Sequence, residues 1–161
     1  MLNQPKLDRL DIRILAELQN NGRISNVNLA DQVGLSPSPC LKRVKRLEDS
    51  GYIKGYGAHI DLVKLGDCVT VFTEFTIKEH YRESFHLFEK TLAGCPEIVE
   101  CHLISGGYDY LVKFVVRSIN HYQETIDRLL KKEDMVREYF SYIVIKSPIE
   151  SRPVSLEQIF Y

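Results

Sequence analysis

Four cations crowd into five consecutive positions: Lys42, Arg43, Lys45 and Arg46, with no acidic residue among them. The chain as a whole, 161 residues long, carries a net charge of −1. Positive charge this concentrated on one stretch calls for an anionic counterpart, and the phosphate backbone of a nucleic acid is the natural one. The excess is local. Residues 1–61 hold nine Lys/Arg against seven Asp/Glu, whereas residues 62–161 hold twelve against fifteen. A nucleic-acid site should therefore be a patch, not a field over the whole molecule.

A second group with chemical potential is Ser105-Gly106-Gly107-Tyr108-Asp109-Tyr110. Backbone N–H groups at an exposed Gly-Gly turn can hold a carboxylate, and a neighbouring Asp can hold an ammonium. Together these are the two charges of a free amino acid. The same residues also serve as a plain hairpin turn leading into a core strand. Cys95, Cys101 and His102 are the nearest thing to a metal set, but their spacing fits no compact zinc pattern. The four cysteines are spread without a C-x-x-C and are expected as free thiols, Cys40 and Cys68 included. His102 is expected as a packed or interface residue. No nucleophile–base pair or phosphate loop stands out, and G-G-Y-D-Y is not a dinucleotide fingerprint. The expectation is a chain that is not an enzyme and uses no cofactor or metal.

These groups need elements to position them. Leu7, Leu10, Ile14, Leu15 and Leu18 recur at helical spacing, with Asp8 as N-cap and Asp11 in the first turn favouring the helix dipole. Asn20-Asn21-Gly22 ends this first helix. Ser25 caps a second, which buries Leu29, Ala30 and Val33 and stops at Gly34, where a sharp turn needs positive φ. Ser36 caps a third, with Pro37 at its first position. Cys40, Val44 and Leu47 form its buried side. At 100° per residue, Ser38, Lys42 and Lys45 point outward and Arg43 and Arg46 lie on the flank. Gly51 ends the helix, and 52–60 reads as extended, with Gly55 and Gly57 giving a wing-like bend. Two short helices joined by a tight turn, the second basic on its outer side, make a DNA-binding helix-turn-helix. Ser36 and Ser38 then fall near phosphates or base edges, Lys42 and Lys45 on bases or phosphates, and Arg43 and Arg46 on backbone phosphates.

After a connection over 62–67 the pattern changes. Strands are expected over 68–77, 97–104, 108–116 and 136–145, and amphipathic helices over 81–92 and from Ile119 through Tyr122 and Ile126 to Leu129. The order βαββαβ is that of a ferredoxin-like sandwich, giving an α+β chain with domains at 1–65 and 66–161. Two helices cover only one face of such a sheet. Yet Leu111 and Val115 are apolar on one side of the third strand, and Tyr110, Val112 and Phe114 on the other. The uncovered face should be a dimer surface. The tail after Ser147, apolar with two prolines, is expected to pack on a partner or stay loose. No apolar run approaches the ~20 residues of a membrane span. The N-terminus lacks the apolar core of a signal peptide, so a cytoplasmic protein without a membrane partner is expected.

The stretch L-D-x-x-D-x-x-I-L-x-x-L-Q-x-N-G-R-I-S, followed by L-A-D-Q-V-G-L-S-P-S-P-C-L-K-R-V-K-R-L-E-D-S-G-Y-I, resembles the Lrp/AsnC family of leucine-responsive, feast/famine transcription regulators. The likeness continues in E-C-H-L-I-S-G-G-Y-D-Y-L-V-K at 100–113 and covers nearly the whole chain. It implies a winged helix-turn-helix domain followed by a regulatory domain of the kind just derived. It also implies homodimers that assemble into octamers or similar rings, and amino-acid effectors bound between regulatory domains, with leucine and methionine as first candidates. By position it assigns effector contacts to Ser105, Gly106, Gly107, Tyr108, Asp109, Ile119, Tyr142, Ile143 and Val144. The family often carries an acidic or other polar residue where Gly107 stands, a departure that bears on which ligand is held.

Overall fold

The computed structural model describes residues 6–132, 134–150 and 152–160. The chain forms two compact units. One ends at His59 and takes in the segment from Ile149 onward; the other is Ile60–Pro148.

The first unit is built on three helices, α1 (Arg9–Asn20), α2 (Asn26–Val33) and α3 (Pro37–Asp49). Asp8 caps α1 in a reciprocal capping box: its carboxylate accepts from the Asp11 N–H, and the Asp11 carboxylate accepts from the Asp8 N–H. Ser25 caps α2 by accepting from the Asn28 N–H. Gly34 closes α2 at φ 73°, the left-handed conformation that the tight turn requires. Ile14, Leu29, Ala30, Val33, Cys40 and Leu47 are buried together, with Leu15, Leu18, Ile24 and Val44 packed around them.

Three local expectations change. Ser36 occupies the N-cap of α3, but its side chain makes no capping bond. Residues 52–60, expected to be extended, open on a bend at Tyr52 and none of them joins a strand, so the wing is not a hairpin. The tail does not stay loose. The Gln19 side-chain amide donates to the Val154 carbonyl at 3.1 Å, and a short helix, α6 (Leu156–Phe160), packs against α1. That packing explains why Ile12, off the stripe defined by Leu7, Ile14 and Leu18, is buried as well. Leu7, Ile12, Leu15, Leu18, Leu156 and Phe160 line one apolar cavity of about 480 Å³.

In the second unit a 3₁₀ turn (Leu62–Lys64) precedes β1 (Val69–Ile77), α4 (Arg82–Ala93), β2 (Ile98–Leu103), β3 (Tyr110–Val116), α5 (Ile119–Lys132) and β4 (Val136–Ile143). The sheet order is β2-β3-β1-β4, with every neighbouring pair antiparallel. Val71, Phe75, Tyr110, Val112 and Phe114 point to one face, where Phe88 and Leu92 of α4 and Tyr122, Ile126 and Leu129 of α5 cover them. Ile119, expected on that stripe, is 53% exposed because it stands at the first residue of α5, ahead of the packed turns. A hydroxyl chain running from buried Thr73 and Tyr122 to exposed Ser141 ties helix to sheet: Tyr122 Oη lies 2.7 Å from Thr73 Oγ1 and 2.5 Å from Ser141 Oγ.

Among the described residues no helix covers the opposite face. Register places Phe72 between Lys113 and Tyr142, and Glu74 between Leu111 and Phe140. Phe140 and Tyr142 are 56% and 52% exposed. The polar groups on this face are paired within the sheet: Lys113 Nζ lies 2.8 Å from Glu100 and 5.9 Å from the Phe72 ring centre. The result is a largely apolar surface on which Lys113 and Glu100 are paired and the Glu74 carboxylate is held by the Tyr142 hydroxyl, a face able to meet a second sheet.

Candidate nucleic-acid and effector sites

The basic cluster divides into two functions on α3. Ser38, Lys42 and Lys45 are exposed, and among the described residues none of them has an ion-pair or hydrogen-bond partner. Arg43 and Arg46 do. Arg43 Nη1 reaches Asp8 Oδ2 at 2.7 Å and Asp11 Oδ1 at 2.8 Å, and Arg46 Nη2 reaches Asp11 Oδ2 at 2.5 Å. The Asp11 side chain is 1% exposed. Beyond the dipole role expected of it on α1, Asp11 is the buried node that fixes α3 to α1. The arginines placed on backbone phosphates are therefore engaged first inside the protein, because a buried carboxylate needs charged partners. Partial burial acts to raise the pKa of Asp8, but the Asp11 N–H and the Arg43 guanidinium outweigh it and hold the carboxyl below its ordinary range. The signal was present in the sequence as two pairs at matching spacing, Asp8/Asp11 and Arg43/Arg46.

Two further hydrogen bonds fix the helix-turn-helix. The Asn26 side-chain amide donates to the Pro37 carbonyl at 2.8 Å, linking the start of α2 to the start of α3. Arg13 Nη2 donates to the Gln32 carbonyl at 2.8 Å, placing a cation at the C-terminal end of α2 where the helix dipole favours it.

Most of the residues assigned to an effector do not form one cluster within a chain; the exception is Tyr142, which shares Glu74 with Tyr108. Ser105, Gly106, Gly107, Tyr108 and Asp109 lie in the loop between β2 and β3. Neither Gly106 nor Gly107 adopts positive φ, and a Cβ on either would meet open space. The turn itself does not demand glycine, then, and the pair leaves backbone open to an approaching group. Ile143 pairs with Val71, and the Val144 N–H donates to the Thr70 carbonyl at 2.9 Å, near the end of the sheet from which Ile119 follows. From Tyr110 to Val116 the sheet spans roughly 20 Å at 3.3 Å per residue, so a free amino acid cannot touch both ends of one protomer.

Asp109 is held tightly. Its N–H donates to the Phe75 carbonyl, and its Oδ2 accepts from the Ile77 N–H at 2.8 Å, extending the ladder between β1 and β3 by one side-chain bond. His80 Nε2 meets both carboxylate oxygens, at 2.9 and 3.1 Å. On the outer sheet face Tyr142 Oη donates to Glu74 Oε2 at 3.2 Å, and Glu74 also faces Tyr108, whose hydroxyl pKa is raised by desolvation and by that carboxylate. Glu74 and His80 were missed from sequence. Glu74 sits in the outward register of β1 with no local mark of its partners, and His80 lies in a short connection.

A separate carboxylate contributes a pH-dependent part of the stability of this unit. Burial pushes Glu97 upward, but Arg128 Nη2 at 2.8 Å and the Cys95 thiol at 3.0 Å outweigh it and hold the carboxyl at about 2. His121 Nε2 lies 3.2 Å from the same oxygen that Arg128 meets. With the folded value below the ordinary 4.5, the stabilisation is complete above about pH 4.5 and is lost as pH falls toward about 2. Acid unfolding followed by circular dichroism should show a steep loss in that window, and Glu97→Gln should flatten it.

Comparison with known proteins bears on both units. Residues 7–54 match a family model described as winged helix-turn-helix DNA-binding, and residues 70–154 match one described as Lrp/AsnC ligand binding domain. The chain is 44% identical to the transcriptional regulatory protein DoeX of Halomonas elongata, over 88% of this chain and 90% of that one. It is 41% identical to the leucine-responsive regulatory protein of Escherichia coli K12, over 90% and 88%. Among solved structures, an AsnC family transcriptional regulator from Agrobacterium tumefaciens superposes with a TM-score of 0.88 at 32% identity, covering 95% of this chain and 99% of that one. The regulator NMB0573 of Neisseria meningitidis, in complex with L-Met, gives 0.86 at 31% with the same coverage.

Proposed function

Since this chain belongs to the Lrp/AsnC family of DNA-binding transcription regulators, we propose that α3 enters the major groove of double-stranded DNA with Ser36, Ser38, Lys42 and Lys45 on the DNA side. The observation that carries this is the division of charge on α3: Lys42 and Lys45 are exposed and unpaired among the described residues, whereas Arg43 and Arg46 are tied to Asp8 and Asp11. Arg43 and Arg46 act on DNA chiefly by holding the helix at its angle; Arg46, 43% exposed, also adds to the charge facing the phosphates.

The Ile60–Pro148 unit takes an amino-acid effector. The Ser105–Asp109 loop receives its carboxylate on the open backbone of Gly106 and Gly107 and its ammonium on Asp109. Ile119, Ile143 and Val144 complete the site from a neighbouring protomer, which their distance from the loop along one sheet supports, and Tyr142, which shares Glu74 with Tyr108, stands beside the loop of its own protomer. Dimers form through the helix-free sheet face and assemble further into an octamer or a similar ring, in the cytoplasm. L-leucine and L-methionine are the first candidates, given a relative named as leucine-responsive and a neighbour holding L-Met. The ligand reaches DNA binding only through a preference for one assembly over another.

A thermal-shift screen against the twenty amino acids tests this, since a ligand that binds the native state raises its melting temperature. Asp109→Ala should abolish the response while leaving DNA affinity intact. Full effector affinity by calorimetry in that variant would remove Asp109 from the site.

A further inference from the structure

His80 lies in the short connection between β1, which ends at Ile77, and α4, which starts at Arg82. Its Nε2 bridges Asp109 Oδ1 and Oδ2 at 2.9 and 3.1 Å. With a carboxylate as acceptor, that nitrogen carries the proton. The imidazole is backed by Phe85 at 5.7 Å between ring centres, and Phe85 in turn packs against Tyr110 at 5.9 Å. Asp109 is 17% exposed in its side chain, against 56% for His80. One side of the carboxylate is fixed by the Ile77 N–H, and the other is covered by a ring that is itself largely in solvent. A cation approaching Asp109 meets His80 first.

We propose that His80 is a specificity-setting latch on Asp109: it occupies the carboxylate in the absence of ligand, and the ammonium of an amino-acid effector must displace it. The inference rests on the assignment of Asp109 to the effector's ammonium. The exchange is favourable because an ammonium brings a full charge and three N–H donors where the imidazole brings one. Displacement nevertheless subtracts the value of the resident hydrogen bond from the binding free energy. His80 thereby sets the effector concentration at which the protein responds, and it discriminates against ligands whose cationic group cannot outcompete an imidazole.

The test is a thermal-shift titration of the full chain with each of the twenty amino acids, run on wild type, His80→Ala, His80→Gln and Asp109→Asn. His80→Ala should respond to the same amino acid at about fivefold lower concentration, the equivalent of one hydrogen bond to a carboxylate weakened by the solvent around the 56% exposed imidazole. Its ligand-free melting temperature should fall by roughly 4–8 °C, because the ligand-free fold loses the same hydrogen bond. His80→Gln, which restores an N–H donor, should return close to wild type, and Asp109→Asn should lose the response. A His80→Ala protein that responds at the wild-type concentration, or only at a higher one, overturns the latch and leaves the Asp109 assignment standing. A wild-type response in Asp109→Asn overturns the assignment and the latch with it, as does the absence of any response to the panel in both wild type and His80→Ala.

Discussion

Asp11→Ala is expected to lower the melting temperature of the DNA-binding unit by roughly 10 °C, corresponding to about 2 kcal/mol in a domain of this size. Asp11 accepts from the Asp8 N–H and from Arg43 and Arg46, and its side chain is 1% exposed. Truncation removes the partner that two guanidinium groups on α3 share. Breaking a fully buried pair costs about 3–5 kcal/mol, but the arginines are 26% and 43% exposed, so water recovers part of the loss. Asp11→Asn retains an acceptor for the Asp8 N–H and should lose less. DNA binding should change in two opposed ways. The released arginines add positive charge toward phosphate, which sustains non-specific affinity, while α3 loses its fixed angle. The ratio of specific to non-specific affinity should therefore fall about tenfold even where total binding does not. Thermal melts and gel shifts with cognate and random duplexes measure the two effects separately. A variant melting within about 2 °C of wild type would mean that α3 needs no anchor on α1.

Lys42→Ala combined with Lys45→Ala should have the opposite signature: an unchanged melting temperature and a collapse of DNA affinity. Both side chains are exposed and without partners among the described residues, so the fold is indifferent to their removal. Every phosphate that a lysine no longer neutralises reduces the slope of log affinity against log salt by about 0.9, and two phosphates per protomer make about 3.6 for a dimer. Near physiological salt that amounts to about two orders of magnitude in affinity. Filter binding at several salt concentrations reads both numbers. A slope and affinity equal to wild type would remove the outward side of α3 from the interface.

What could be read in the sequence was what is written locally. Periodicity, Asp8, Ser25 and Gly34 located the first helices, and alternation located the strands of the βαββαβ unit. Pairings between distant residues were not legible in the same way. Arg43 and Asp8 are 35 positions apart, His80 and Asp109 are 29 apart, and Tyr142 and Glu74 are 68 apart. An outward lysine and a flanking arginine look alike on a helical projection; only the location of Asp11 on α1 separates their roles. Ile119 fits the apolar stripe of α5 by spacing but stands at its end, so spacing alone could not show it exposed. The tail carries no periodic signal long enough to reveal a five-residue helix, and its place on α1 depends on Leu156 and Phe160 meeting a surface more than a hundred positions earlier.

The packing of α6 on α1 also bears on how the molecule is made. The helices that carry the DNA-reading surface leave the ribosome first, but their final wall, α6, is synthesised only after the whole of Ile60–Pro148. Domains generally fold as units in the order of synthesis, and here the order is interleaved: α1 to α3 come before Ile60–Pro148 in the chain, and the helix that covers α1 comes after it. A nascent chain therefore leaves the α6-facing side of α1 uncovered until synthesis has passed Pro148.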